Sequence, residues 1–322
     1  MTESMTENRK TEKLFYQDSH LKEFEARVTA CEKNGEHFVT ELYRTAFFPE
    51  GGGQYADTGK LGGARVLDVQ ERNGRILHIT DGPLTPGETA RGQIDWDERF
   101  MKMQQHTGEH IVSGLVHAKF GYNNVGFHLG SEDCTMDFNG EITPEELEEI
   151  ERKANRAVWE NLEVQVLYPS EDELEQMEYR SKIEIEGQVR MVVIPGYDVC
   201  ACCAPHVERT GEIGLIKLTG AQRYKGGGRV TMLCGVRALA DYEVKQKQAG
   251  EISALLCAKQ NEIADAVEHL REECSELKRE IAEKERQLVS CRADMIPDGE
   301  EVVCVFSKEI QGDAMRALMN LS

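Results

Sequence analysis

Two short clusters in this chain carry residue types that bind metal ions. The segment His106–His110 reads HTGEH, and in a helix its two imidazoles, four residues apart, project from one face about one turn apart. The segment Cys200–His206 reads CACCAPH and holds three thiols and an imidazole. Thiolate together with imidazole is the donor set that Zn²⁺ prefers. Two histidines from the first segment and a Cys/His pair from the second therefore predict a four-ligand zinc site.

The spacing leaves open which thiol binds and whether the site is catalytic. Cys200, Cys202 and Cys203 all lie near His206 in sequence. Four protein ligands would make a closed structural site, whereas one displaceable ligand would leave a place for water. The His-x-x-Glu-His pattern is also the inverted zinc-peptidase signature, with Glu109 as general base. Such peptidases use a carboxylate as third ligand instead of a cysteine-rich loop, which disfavours this alternative.

The residues before the first cluster predict a small β domain. Apolar-rich runs flank Asn34-Gly35 and Asn73-Gly74, and an Asn-Gly pair between such runs indicates a hairpin with a type I′ turn. Two hairpins predict a small β-barrel or sandwich over residues 13–95, after a disordered tail over residues 1–12. Pro83 and Pro86 then precede a helix predicted near residues 98–119, which carries the first cluster.

Helical and strand-like runs alternate irregularly over residues 96–240, which predicts an α+β domain with an antiparallel sheet. Apolar residues then follow a 4-3 spacing over about five heptads, which predicts a coiled-coil helix over residues 241–295 and a homodimer formed through it. A single amphipathic helix packed on the body of the protein is the alternative. Residues 296–322 are too few to bury a core alone, so we expect a partial, truncated C-terminal domain.

The composition excludes a membrane protein and indicates how the chain would interact with nucleic acid. The 322 residues include 38 Lys+Arg and 58 Asp+Glu, a net charge of −20, and the start of the chain has no apolar core of a secretory signal. We therefore expect a cytoplasmic protein with free thiols. The net charge repels polyanions, but it is uneven: residues 141–190 hold 15 acidic and 6 basic residues, whereas residues 200–237 hold 2 acidic and 6 basic. The second segment predicts local phosphate contacts.

Five ordered motifs resemble those of the freestanding alanyl-tRNA editing proteins, relatives of the editing domain of alanyl-tRNA synthetase. They are Phe48–Gln54, Asp57–Gly59, His106–His110, Gly130-Ser131 and Cys202–Gly214. The resemblance spans residues 13–295 and implies a translation-factor-like barrel followed by an α/β editing domain shared with alanyl- and some threonyl-tRNA synthetases. The common family loop reads Cys-Gly-Gly-Thr-His, whereas this one reads Cys-Cys-Ala-Pro-His. The zinc ligands implied by the resemblance are His106, His110, Cys202 and His206.

The resemblance also implies site residues beyond the metal. His128 resembles the family's position for a polar residue next to the attacking water, with a structural histidine as the alternative. Glu109, which would orient a ligand imidazole or water, and Thr135, in a strand-like run, are the other catalytic candidates. The residues expected to contact the substrate or tRNA are Gly51, Gly52, Gly53, Gln54, Arg223, Lys225 and Arg229.

The activity that the resemblance implies is zinc-dependent hydrolysis of the ester in Ser-tRNA(Ala) or Gly-tRNA(Ala). A synthetase pocket that admits alanine cannot exclude glycine by size and rejects the serine hydroxyl weakly, so a second sieve is useful. A pocket that hydrogen-bonds the serine hydroxyl would invert that selection. Two alternatives remain at this point: a non-catalytic, zinc-stabilised module for tRNA binding or dimerisation, and the zinc peptidase.

Overall fold

The computed structural model describes residues 10–131, 133–181, 188–296, 304–308, 310 and 312–321. The chain divides into two compact units, Met1–Tyr242 and Glu243–Ser322. The first unit mixes helices with mainly antiparallel strands, which confirms the predicted α+β class. In the described part of the chain, no helix is long and apolar enough to cross a membrane.

A six-stranded closed barrel forms the first part of the larger unit, with strand order β2-β3-β7-β6-β5-β8. Phe24, Ala26 and Val28 alternate along β2 and point into the barrel core. Phe24 pairs across the strands with Gly92, where a Cβ atom would lie 2.3 Å from the Phe24 ring. The first eight strands are β1 Glu12–Lys13, β2 Glu23–Asn34, β3 His37–Leu42, β4 Arg44–Thr45, β5 Gly59–Leu61, β6 Ala64–Arg72, β7 Arg75–Thr80 and β8 Thr89–Ile94.

Both predicted hairpins form, but their turns differ. Arg72 pairs with Arg75, so Asn73 and Gly74 make the second turn, and both have the positive φ of a type I′ turn. In the first hairpin the pairing of Asn34 with His37 shifts the turn to Gly35-Glu36, where only Gly35 has a positive φ. That pattern is typical of a type II′ turn, so the type I′ prediction is wrong there.

The predicted disordered tail is too long at its C-terminal end. Residues 1–9 lie outside the described residues, but Thr11 and Glu12 are ordered on the barrel. The Thr11 backbone N–H donates to Gly74 O at 2.9 Å, and β1 pairs in parallel with β4. Backbone hydrogen bonds to a hairpin turn and a neighbouring strand hold this segment, although its sequence is polar.

His78 in the barrel core predicts acid sensitivity. Burial lowers the pKa of His78 from 6.5 to about 4, although its hydrogen bond to Thr40 O acts in the opposite direction. The folded state therefore binds fewer protons than the unfolded state between these values. Neutral His78 therefore contributes about 3 kcal/mol to the free energy of unfolding. This contribution is complete above pH 6.5 and is lost as the pH falls to about 4. Urea unfolding at pH 7 and pH 4.5 measures it, and His78→Gln should show the smaller change with pH. An equal change in both proteins would contradict this origin.

The second part of the larger unit is built around one long helix, α1, packed against a four-stranded antiparallel sheet of order β14-β15-β10-β9. A second antiparallel sheet, of order β11-β12-β13, also contacts α1 through β13. The elements are α1 Trp96–Phe120, β9 Asn124–Leu129, β10 Cys134–Phe138, α2 Pro144–Glu160, β11 Gln165–Leu167, α3 Glu171–Gln176, β12 Met191–Ile194, β13 Asp198–Ala201, β14 Ile216–Tyr224 and β15 Gly227–Cys234.

The predicted continuous helix over residues 241–295 is interrupted. Helix α4 spans Gly235–Leu256 and α5 spans Ile263–Ala293, with Cys257 in a left-handed conformation between them. Along α5 the heptad positions Leu270, Leu277 and Ile281 are exposed. Helix α6, Asp313–Leu321, packs on α5 through a small core of Val289, Ile310 and Leu318. Residues 297–303 of the expected C-terminal fragment lie outside the described residues.

Candidate metal centre

Helix α1 presents His106 and His110 from the interior of the larger unit. Both are 2% exposed, and their ring centroids lie 5.6 Å apart, as the i, i+4 spacing predicts. Gly108 between them allows the helix to approach β15, since a Cβ atom there would lie 2.4 Å from Cys234 Sγ. A glycine that is unfavourable for helix propensity is thus required by packing.

The loop after β13 brings Cys202 and His206 to these two histidines. One ligand atom from each of the four side chains lies within 4.8 Å of the others. The Cys202 Sγ atom is 3.5 Å from His106 Nε2 and 3.4 Å from His206 Nε2. With bonds of about 2.05 Å to nitrogen and about 2.3 Å to sulfur, a tetrahedral zinc ion places its N and S ligands about 3.5 Å apart. The spacing of these donors therefore fits Zn²⁺.

Each imidazole is oriented by a hydrogen bond at Nδ1, which leaves Nε2 directed at the cluster. His106 Nδ1 lies 2.9 Å from Gln54 Oε1, and His206 Nδ1 lies 3.0 Å from Thr107 Oγ1. His110 Nδ1 lies 2.9 Å from Asp198 Oδ2. Outer partners of this kind fix the tautomer and ring orientation of metal-binding histidines.

Burial opposes charge on the donors of this cluster. Burial raises the pKa of the Cys202 thiol, and burial with the neighbouring His110 and His106 lowers the pKa of His206 well below its ordinary value. Both shifts favour the neutral side chains in the buried site. A cation would stabilise the thiolate and the neutral imidazole, the two forms that bind metal.

The structure distinguishes the three candidate thiols. Cys202 lies in the four-residue cluster, whereas Cys200 is grouped with His110 and Asp198 behind it. Cys203 is exposed and lies towards the glycine loop, residues 51–53. Its Sγ would be 3.4 Å from a Cβ atom added to Gly52. Cys202 is therefore the thiol that the fold positions as the fourth donor.

Comparison with known proteins identifies relatives of this chain. A family model described as "Threonyl and Alanyl tRNA synthetase second additional domain" matches residues 189–234, which include Cys202 and His206. The alanyl-tRNA editing protein AlaX-L of Pyrococcus horikoshii is 31% identical over 291 residues, which cover 84% of this chain and 72% of that protein. The chain belongs to the alanyl-tRNA editing protein family.

This family member is also similar to part of a larger enzyme. Alanine–tRNA ligases of Ignicoccus hospitalis and Halorubrum lacusprofundi are 31% and 32% identical to it. The matched regions cover 87% and 96% of this chain. The chain spans about a third of the length of these ligases, 32% and 36% respectively.

The glycine loop of this editing-family protein connects the barrel to the cluster. Gly51 and Gln54 exchange backbone hydrogen bonds of 3.0 Å, and Leu129 N donates to Gly53 O at 2.9 Å. Gly53 has a φ of +81°, and a Cβ there would lie 2.5 Å from Phe127 O, so only glycine fits against β9. Gln54, predicted to contact substrate, places its amide oxygen within hydrogen-bond distance of His106 Nδ1. Its buried Nε2 has no hydrogen-bond partner among the described residues.

The three catalytic candidates occupy different places. Glu109 is 1% exposed, its Oε2 lies 3.8 Å from His110 Nε2, and its Oε1 accepts hydrogen bonds from Ser113 and Asn124. His128 and Thr135 are cross-strand partners. Strand alternation puts both on the sheet face opposite Phe127, whose ring centroid is 4.8 Å from that of His106. The described contacts therefore bring Glu109 to the cluster, but not His128 or Thr135.

The predicted tRNA-binding cations lie around the β14–β15 hairpin and are partly neutralised. Arg229 forms a bidentate pair with Asp137 at 2.6 and 2.7 Å. Arg223 donates to Glu141 at 2.9 Å, and both side chains are exposed. Lys225 occupies the turn with a φ of +46°. The carboxylate partners of Arg229 and Arg223 weaken the local positive field that the sequence predicts.

Sequence reasoning missed the buried residues that support the cluster. Asp198 accepts two hydrogen bonds from Arg180, at 2.7 and 2.8 Å, in addition to its contact with His110. Burial acts to raise the pKa of Asp198, but the hydrogen bonds from His110 and Arg180 outweigh it and lower the pKa. The only sequence signal was the position of Asp198 four residues before Cys202, at the start of the loop strand.

Proposed function

We propose that this chain hydrolyses the ester bond of tRNA(Ala) mischarged with serine or glycine, and that it requires Zn²⁺ to do so. The observation that carries the proposal is the cluster of three buried imidazoles and one partly buried thiol with ligand atoms within 4.8 Å of one another, in a chain of the alanyl-tRNA editing family. Bound Zn²⁺ would act as a Lewis acid for the ester or lower the pKa of a water. The residues that would hold it are His106, His110, Cys202 and His206.

The surrounding side chains have distinct proposed roles. Gln54, Thr107 and Asp198 would keep the three imidazoles in the metal-binding orientation. Glu109 would orient the attacking water, because its carboxylate is fixed by Ser113 and Asn124 beside His110. The proposed participation of His128 and Thr135, and tRNA contacts by Arg223, Lys225, Arg229 and the glycine loop, stay predictions from sequence.

We further propose a division of labour along the chain. Residues 13–95 would form a translation-factor-like barrel and residues 96–240 the editing domain, acting in the cytoplasm. The exposed heptad positions of α5 support the idea of pairing with a second copy through a coiled coil. None of these roles requires a membrane.

Deacylation assays test the proposed activity. Purified protein with zinc is expected to release serine or glycine from mischarged tRNA(Ala) at least about 100-fold faster than it releases alanine, because the sieve must reject the correct product. Radiolabelled Ser-, Gly- and Ala-tRNA(Ala) are followed side by side, with buffer as the control. Decay of all three esters at the buffer rate would overturn the proposal. Salt-sensitive tRNA binding without cleavage would instead support the non-catalytic module.

A further inference from the structure

Arg190 is a buried cation beside the Cys202–His206 loop, and no carboxylate of the described residues pairs with it. Its residue is 8% exposed, and its Nη1 donates to Cys202 O at 2.8 Å and to Ala204 O at 3.0 Å. Its Nε is buried without a hydrogen-bond partner in the described part of the chain. Nη2 likewise makes none of the hydrogen bonds found among the described residues. One edge of the guanidinium, Nε with Nη2, is therefore left unused.

Within the ranges that the structure describes, the charge of Arg190 is also uncompensated. Among the described residues no carboxylate lies within the 4.0 Å of an ion pair, and the ring of Tyr16, 5.2 Å from Cζ, is its other recorded partner. Removing a guanidinium from water costs several kcal/mol unless an anion pairs with it. By contrast, the nearby Arg180 is paired bidentately with Asp198. An unpaired buried arginine thus points to an anion that is supplied by a ligand.

A cavity gives such a ligand access. Arg190 lines a space of about 380 Å³ together with Tyr16, Ser19 and His206, one of the proposed metal ligands. Asp18, Glu163 and Glu208 also line it, and all three are exposed. These carboxylates would repel further phosphates inside the cavity, so the arrangement favours a single anionic group beside the guanidinium. The planar Nε–Nη2 edge matches two oxygens of a phosphate.

We propose that Arg190 binds a single phosphate group of a terminal nucleotide. If the proposed editing function holds, on which this identification of the ligand rests, that group is the phosphodiester on the 5′ side of the aminoacylated terminal adenosine. Arg190 would then align the acceptor end with the metal loop, since the same guanidinium holds the carbonyls of Cys202 and Ala204. Substrate binding and loop position would be linked through one side chain.

Binding of small probes to the zinc-loaded full chain tests this assignment without relying on catalysis. Adenosine 5′-monophosphate is expected to bind about 10- to 100-fold more tightly than adenosine, the value of a charge-assisted hydrogen-bond pair, as measured by calorimetry. Arg190→Gln should abolish that preference, and Arg190→Lys should retain part of it. The control Arg209→Gln removes the same charge from an exposed position and should leave the preference intact.

The outcomes separate this proposal from the editing function. Equal affinity of the wild-type chain for the nucleotide and the nucleoside would overturn the phosphate site, whatever the variants do. A preference that persists in Arg190→Gln with its zinc retained would overturn the role of Arg190, and Arg190→Lys repeats the test if the glutamine variant loses zinc. Competition by inorganic phosphate as strong as that of the nucleotide would overturn the terminal-nucleotide assignment. A wild-type preference without deacylation would overturn the editing function alone.

Discussion

Replacing Cys202 with alanine is expected to abolish zinc binding and ester hydrolysis. Its sulfur is 3.4 to 3.5 Å from two imidazole Nε2 atoms, and the cluster has no other thiol. Loss of an outer partner costs about 10- to 100-fold in metal affinity, so loss of a direct ligand should cost at least about 100-fold. Metal analysis after gel filtration and zinc titration against a chelator measure the affinity. The thermal midpoint should fall as well, because zinc binds the folded state.

The neighbouring cysteines provide matched controls. Cys203→Ala removes an exposed thiol from the same loop and should keep the zinc. Cys200→Ala removes a buried thiol grouped with His110 and Asp198, and should reduce affinity less than Cys202→Ala. Full zinc occupancy in Cys202→Ala, with zinc lost from either control, would show that another cysteine is the ligand.

The donor set was predictable from sequence because donor chemistry is local. The i, i+4 histidines and the Cys-x-x-x-His loop already specify imidazole and thiolate at short spacing. Their outer partners were not predictable in the same way. Gln54 meets His106 across 52 residues, and Asp198 meets His110 across 88 residues. Such contacts depend on how the barrel loop and β13 pack against α1, which residue types alone do not specify.

The misplaced elements have physical reasons as well. The helix break at Cys257 falls in the sequence Leu256-Cys257-Ala258-Lys259, where neither proline nor glycine marks an end. The heptad pattern runs through it, and a periodic pattern cannot report a backbone conformation that no residue type demands. The catalytic role of His128 stays a prediction, because the sequence indicated only a polar residue in a strand, whereas the sheet face it occupies depends on how β9 pairs with β10.

Replacing Asp57 with asparagine is expected to destabilise the chain by about 3 to 5 kcal/mol, the cost of breaking a buried ion pair. Asp57 Oδ2 accepts from Phe48 N at 2.7 Å and from Arg99 Nε at 2.9 Å, and Asp57 and Arg99 are 1% and 0% exposed. Lys102 Nζ lies 3.8 Å from the other carboxylate oxygen and is equally buried. The substitution would leave Arg99 inside the protein without its carboxylate partner, whereas Lys102 would keep Glu98, 3.5 Å from its Nζ.

Loss of the Asp57–Arg99 ion pair should also weaken the metal centre, because this pair joins the barrel to the helix that carries His106 and His110. Arg99 and Lys102 precede His106 by seven and four residues on α1, so a shift of this helix segment displaces the imidazoles. Urea unfolding followed by circular dichroism gives the stability loss, and zinc titration gives the accompanying loss of metal affinity. Asp97→Asn, the same change at an exposed position of the first turn of α1, should cost less than about 0.5 kcal/mol.

A double variant separates the effect of the buried charge from the effect of lost packing. In the double variant Asp57→Asn with Arg99→Gln, the uncompensated guanidinium is removed, so part of the stability lost in Asp57→Asn should return. If the cost arose only from lost packing, the two losses would add instead. A loss in Asp57→Asn no larger than that in Asp97→Asn would mean that the ion pair does not join the barrel to α1, and the metal centre would then depend on the glycine loop and its Gln54 contact for its link to the barrel.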